Sequence, residues 1–383
     1  MSEPTFVCNT DLAPALEPVR DRFLANFSEG IELGAGFAVV RGDEVLVDLC
    51  GGRMDASDDR PWTPDTLVNI YSTTKGVSAL LLSELVEAGT LDLDARVADY
   101  WPAFAAAGKE AVTVSQLLSH QAGLAGLRDP VTMEDLYDQE AMAARLAAAE
   151  PLWPPGTAMG YHPILWGALA QALCVAVSGE TLGTRLRRRV EGTGADVHIG
   201  LPDAEHARCA TIVGPNRPWR QRAGITDAAP LPREASRFDA IVDQNPVLRP
   251  FKDVCSAAFR RAELPAANGH ATALGLARLY ADAMARGGAG LAAARRQVVG
   301  PEQPDLVLTG RRFRRSAAGF MLNHEGIYGP NAEAFGHDGA GGSFAYADPE
   351  AGIAVAYVMN QMQVHREADR RGRSLLEALY AAL

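Results

Sequence analysis

Ser72-Thr73-Thr74-Lys75 puts a hydroxyl and an amine three residues apart at the start of a helical pattern. Residues at that spacing share one helix face. The amine can therefore reach the hydroxyl, or a proton carrier beside it. Such a pair suits nucleophilic catalysis, in which a serine needs a neighbouring base to take its proton. A plainer reading makes Ser72 an N-cap. A capping box, however, wants Glu or Gln three residues on. Here that residue is Lys75, a cation that the helix dipole disfavours by about 0.3–1 kcal/mol. Lysine is also scarce: of 36 basic residues only Lys75, Lys109 and Lys252 are lysine.

Two further stretches carry chemistry-bearing residues. In Pro155-Gly156-Thr157-Ala158-Met159-Gly160-Tyr161-His162-Pro163, Pro163 suits the first turn of a following helix, which leaves Tyr161 at the helix mouth. There it is either a staple tyrosine or a phenol that takes the serine's proton. A phenol titrates near pKa ~10, so the second role needs a cation nearby, and Lys75 would supply it. The run Phe335-Gly336-His337-Asp338-Gly339-Ala340-Gly341-Gly342-Ser343 is either a glycine-rich turn before a strand or a strand edge that lines a site. His120 and His162 read as packing or helix-terminal histidines, and Ser343 as a strand serine. Trp153 either lines a pocket or packs.

Other chemistries lack their motifs. GxSxG, HExxH and a P-loop are absent, and Gly339-Ala340-Gly341-Gly342 does not complete GxGxxG. No pair among the eight histidines has metal-ligand spacing. No metal and no cofactor is expected.

The elements that must position these residues are legible in outline. Leu12–Phe27 reads as an amphipathic helix with Leu16, Val19, Phe23 and Leu24 on one stripe. Residues 36–40 and 44–49 form a hairpin around Arg41-Gly42-Asp43. A helix follows Ser72, carrying Val77, Leu80, Leu81, Leu85 and Ala88. Residues 113–299 are mainly helical, with segments at 113–120, 133–149, 163–177 and 271–286. Within them 214–250 is Pro-rich and irregular, as in a lid, a site wall or a plain surface loop. Residues 342–347 and 353–359 form a second hairpin, and 368–383 a last helix. The fold class is α+β: one antiparallel sheet built from both termini and flanked by terminal helices, with a helical lobe inserted. The expected division is 1–112 with 300–383 as the sheet lobe and 113–299 as the helical lobe, the site lying between them.

The 383 residues are 48% hydrophobic and 22% charged, with a net charge of -11. That is globular composition. The acidic balance argues against a nucleic-acid partner. Five scattered cysteines without CxxC read as buried thiols. The acidic N-terminus lacks a secretory pattern, and the longest apolar stretch, 164–177, is short of a membrane span. A cytoplasmic protein off the membrane is expected, with its oligomeric state open.

Together the three stretches resemble the serine β-lactamase and penicillin-binding-protein superfamily, nearest to its family VIII carboxylesterases. Val114 through Leu124, including Gln121, resembles the helix after that family's SxxK, and Val358-Met359-Asn360 its last strand. The resemblance implies a β-lactamase-like fold. It implies Ser72 as nucleophile, Lys75 and Tyr161 as the general-base system, and the N–H groups of Ser72 and Ala340 as the oxyanion hole. His337 and Gly339 take the place of the KTG motif and, with Gln121 and Trp153, line the substrate site. Two departures matter. The family's Tyr-x-Asn is Tyr161-His162-Pro163, and no lysine follows Lys252. Both favour a neutral ester, a small-molecule substrate, over a β-lactam, a D-amino peptide, an amide or transfer to an alcohol.

Overall fold

The computed structural model describes residues 5–8, 12–215, 235–363 and 369–383. Nine antiparallel strands form the main sheet: Thr5–Cys8 (β1), Gly34–Arg41 (β2), Glu44–Gly52 (β3), Gln297–Val299 (β7), Arg314–Ser316 (β8), Met321–Leu322 (β9), Phe335–Asp338 (β10), Phe344–Asp348 (β11) and Ile353–Met359 (β12). Their order is β1-β3-β2-β12-β11-β10-β9-β8-β7. Strands from the two ends of the chain thus meet where β12 pairs with β2, Ala356 opposite Ala38. A separate small sheet joins Val68–Asn69 (β4), Val197–His198 (β5) and His270–Ala271 (β6), in the order β4-β6-β5.

The β2–β3 hairpin closes through two residues between Arg41 and Glu44. Gly42 has φ +57 there, the positive value that a tight hairpin loop requires. The second hairpin starts later than its sequence suggests. Gly341 and Gly342 have φ +90 and +122, so they bend away from the sheet and β11 begins at Phe344.

Glu17–Ser28 (α1) follows a short 3-10 turn and buries Val19 and Phe23. It packs with the C-terminal helix Arg370–Ala382, and the two cover one sheet face through a core that includes Phe37, Leu49, Tyr346, Val355 and Leu375. Thr73–Glu87 (α2) lies on the other side, against β10, β11 and the helix Ala289–Arg295. It is buried on nearly its whole circumference, Thr73 through Ser83 without a break. An apolar stripe was the expectation; a helix enclosed by neighbours has no solvent face to keep polar.

Other differences are local. The expected helix at 133–149 is two, Met133–Tyr137 and Gln139–Ala148, because Asp138 turns the chain and caps the second through Ala141 N–H. Thr113 and Gln116 form a capping box on Val114–Leu118. The helix after Tyr161 starts at Leu165, so Pro163 precedes it rather than opening it. Ala273–Arg286, assigned from sequence to the helical lobe, packs on β2, β11 and β12, so the sheet side recruits it. Much of 214–250, the lid candidate, falls on residues 216–234, outside the described residues. Its described end carries a short helix, Asp239–Val242. No single helix among the described residues is long and apolar enough to cross a membrane. Leu165–Ser178, the longest apolar run, is largely buried in the core.

Candidate active site

Ser72 occupies the N-cap position of α2 but makes no capping hydrogen bond with its side chain. Its Oγ instead lies 3.1 Å from Lys75 Nζ and accepts from Tyr161 Oη at 2.8 Å. The sequence brings three residues from two distant segments onto one oxygen. Tyr71, just before the serine, has φ +46, an uncommon conformation for a bulky side chain. Asn69 Oδ1 accepts from the Tyr71 N–H, and the Tyr71 hydroxyl donates to Pro250 O at 2.8 Å. The strained turn is therefore tied at both ends.

Lys75 is fully buried. Its Nζ also donates to the carbonyls of Pro163 at 2.7 Å and Ala266 at 3.1 Å. Burial, and then the charge of Arg315, hold its amine well below the ordinary lysine range. A neutral amine has two N–H groups and one lone pair. The two carbonyls take the N–H groups, which leaves the lone pair facing the serine hydroxyl. Lys75 is beside Tyr161, as expected, but a fully desolvated ammonium is disfavoured there.

Tyr161 is fixed through its backbone. Its N–H donates to Asp305 Oδ1 at 3.0 Å, and the same oxygen accepts from Val307 and Leu308 N–H. Burial raises the Asp305 carboxyl. Basic side chains surround the phenol ring. Lys75 Nζ lies 4.9 Å from its centroid and the Arg315 guanidinium carbon 5.3 Å. The His120 ring lies 4.9 Å away and that of His337 6.4 Å. His162 accepts from Leu124 N–H at Nε2 and so donates from Nδ1 to Gly160 O. Burial pushes its imidazole down to about 3. Both His120 and His162 are buried packing residues, as read from sequence.

The remaining expected residues fall unevenly around this centre. The Ala340 and Ser72 N–H groups have no hydrogen-bond partner among the described residues. His337 is 1% exposed. Its Nε2 accepts from Arg315 Nη1 at 2.9 Å, because a guanidinium only donates, and its Nδ1 therefore donates to Asp338 O. It is neutral in that arrangement and turned inward rather than toward a substrate. A Cβ on Gly339 would lie 2.4 Å from Ile70 O and 2.4 Å from Ser343 Oγ, so this glycine allows the strand end to abut the turn before Ser72. Gln121 is buried and donates to Ser119 Oγ. Trp153 packs on Phe238 and His162 and donates to Ala158 O. With Ala125, Val307 and part of Tyr161 it forms an apolar wall beside the phenol.

Sequence reasoning missed Arg315 and Asp305. Arg315 sits in Arg311-Arg312-Phe313-Arg314-Arg315, where its neighbours look the same. Only the pleat, which buries Arg315 and leaves Arg314 partly exposed, separates them. Asp305 lies in a loop without periodicity. No group of three or more His, Cys, Asp or Glu among the described residues is arranged to hold a metal ion.

Comparison with known proteins identifies the family. The family model "Beta-lactamase" matches residues 21–380. Esterase/beta-lactamase LipL of Mycobacterium tuberculosis is 35% identical over 89% of this chain and 80% of its own length. The crystal structure of a family VIII carboxylesterase superimposes with a TM-score of 0.86 at 40% identity, over 100% of both chains. A penicillin-binding protein homolog from Caulobacter crescentus does so with a TM-score of 0.87 at 43% identity, again over 100% of both. With a matching family model along almost its whole length, an α+β fold to match and relatives at this identity, the chain belongs to the beta-lactamase family.

Proposed function

We propose that the chain is a serine carboxylesterase that cleaves short, neutral esters through an acyl-enzyme on Ser72. One observation carries the reading: Ser72 Oγ lies within hydrogen-bonding distance of both a buried amine and a phenol, at 3.1 and 2.8 Å. As Oγ bonds to the ester carbonyl carbon, its proton passes to the Lys75 lone pair. The carbonyl electron pair moves onto oxygen, and the Ser72 and Ala340 N–H groups stabilise that charge. The C–O bond then breaks, and the departing alkoxide takes a proton from the Tyr161–Lys75 pair. Water repeats the sequence in reverse roles and releases the acid.

The substrate class follows from what the site lacks. His337 stands where a KTG lysine would stand, but it is neutral and tied to Arg315 and Asp338 O. The described strand end thus offers a carboxylate no exposed cation. The apolar wall of Trp153, Phe238 and Val307 suits an alkyl or aryl group. The structural neighbour that is a family VIII carboxylesterase supports the same reading. Turnover of p-nitrophenyl acetate, butyrate and octanoate by wild type and Ser72→Ala tests it. Short esters should be cleaved fastest and the variant should be inactive; undiminished turnover by Ser72→Ala removes the serine from the mechanism.

A second reading, hydrolysis of β-lactams on the same serine, is favoured by the double name of the mycobacterial relative, an esterase/beta-lactamase. The missing strand lysine and the missing asparagine after Tyr161 weigh against it. Including nitrocefin in the panel separates the two. Adding an alcohol as competing acceptor reads out acyl transfer.

A further inference from the structure

The site contains one basic group that ordinary pH cannot neutralise. Arg315 is 1% exposed, and its strand register explains its reach. Arg315 pairs with Met321 and Met321 with Gly336, so the side chain starts two strands, roughly 10 Å, from the His337 strand. From there Nη1 donates to His337 Nε2 at 2.9 Å. The guanidinium carbon stands 5.3 Å from the Tyr161 centroid and 4.8 Å from that of Phe313.

We propose that Arg315 is a positioning residue of the reaction, a permanent cation held beside Tyr161 and the Lys75 amine. The proposal rests on the acyl-enzyme reading of Ser72 and deepens it. A cation near a phenol favours its ionised form, and near an amine favours the neutral form. Arg315 does both at once, since Lys75 Nζ lies 4.9 Å from the same ring. The burial that disfavours the Lys75 ammonium leaves Arg315 charged, because a guanidinium does not give up its proton. Other groups around the pair cannot take over. His120 is buried and held well below the usual histidine range, first by desolvation and then by Arg315 itself. His162 and His337 spend their ring nitrogens on neighbours. Asp305 opposes the effect, but its Oδ1 is engaged by three backbone N–H groups. Asp338 lies on the far side of the His337 ring, with Oδ1 3.8 Å from Nδ1. Tyr328 is buried nearby on the sheet side.

The test compares wild type, Arg315→Gln and Arg315→Lys on p-nitrophenyl butyrate from pH 5 to 10. In Arg315→Gln both Lys75 and Tyr161 bind protons more tightly. The acid limb of kcat/KM should move up by about one pH unit or more. At pH 7 kcat should fall about tenfold with KM little changed, and should recover at higher pH. Arg315→Lys should return most of the limb. A loss in Arg315→Gln that is equal at every pH overturns the proposal and leaves Arg315 a packing role. If Arg315→Gln does not fold, Arg315→Met keeps the stem against Phe313 and carries the same expectation. The rate of Ser72 labelling by a fluorophosphonate against pH reads the same limb without substrate. Ser72→Ala is the separate control: esterase activity that survives it overturns the acyl-enzyme reading, whereas an inactive Ser72→Ala together with an unmoved limb in Arg315→Gln overturns the role of Arg315 alone.

Discussion

Lys75 Nζ faces Ser72 Oγ at 3.1 Å while the Pro163 and Ala266 carbonyls hold its other two contacts. Burial, and then the charge of Arg315, favour the amine over the ammonium there. Activity should therefore be present at neutral pH and fall as the amine takes up a proton in acid. A lysine in water, titrating near 10.4, would put that limb far into the alkaline range. Lys75→Met, which keeps the stem volume, should lose activity about a hundredfold or more, as removal of a general base does. Steady-state kinetics on the purified variant, with circular dichroism to establish folding, decide it. A variant within threefold of wild type would rule Lys75 out as the base.

Gly339 packs where no side chain fits. A methyl group there would lie 2.4 Å from Ile70 O and Ser343 Oγ, and 3.0 Å from Thr73 Oγ1. The backbone of the Ser72 turn must give way. Gly339→Ala should cost about 1–3 kcal/mol, the usual penalty for overpacking, and should lower kcat more than it raises KM. Urea unfolding and kinetics on one preparation read both. A variant as stable and as active as wild type would show that the strand end can move away freely.

Much of the site was legible in the sequence because its parts are local. Ser72 and Lys75 belong to one helix, and a misplaced cation marks them. Tyr161 sits in a stretch rich in proline and glycine with few roles to choose from. The two hairpins were legible from their turns. What stayed hidden is long-range. That β12 lies beside β2 decides the sheet, yet no residue on either strand says so. Arg315 is one arginine among several until the pleat buries it. His337 is in the expected place, but its inward turn depends on Arg315, two strands away. Pro163 looked like a helix opener and is instead a carbonyl for Lys75, because the helix begins two residues later.

Arg371, in the C-terminal helix, donates to Gly341 O at 2.9 Å, next to the Ala340 N–H. It is buried and also bonds Glu32, Asp369 and the Gln361 carbonyl. Burial pushes the Glu32 carboxyl up to about 7 even with the guanidinium beside it. Arg371→Leu leaves two buried carboxylates without their cation, which should cost roughly 3–5 kcal/mol. The Gly341 carbonyl loses its anchor, so kcat should fall in whatever fraction still folds. Arg371→Lys should recover part of the stability and less of kcat, since an ammonium cannot span the same fork. Thermal unfolding and kinetics test the pair. Equal recovery of both would separate Arg371 from the Ala340 loop.

His270 offers the cleanest reading of stability against pH. It is buried in β6, its ring bonds Asn268 O through Nδ1, and desolvation pushes it down to about 3. An unfolded histidine titrates near 6.5. The folded value is the lower one, so between pH 6.5 and 3 the unfolded chain binds the extra proton. The stability this group contributes is complete above about 6.5 and is lost as pH falls toward 3. From pH 7.5 to 5.5 one such residue should cost about 1.4 kcal/mol. His270→Gln removes that proton, and it lies outside the catalytic set. Its stability should decline less over the same interval than that of wild type, by about 1.4 kcal/mol, whatever its absolute stability. Urea unfolding at the two pH values measures the difference. Equal declines would mean that His270 binds its proton as readily in the folded protein as in the unfolded chain.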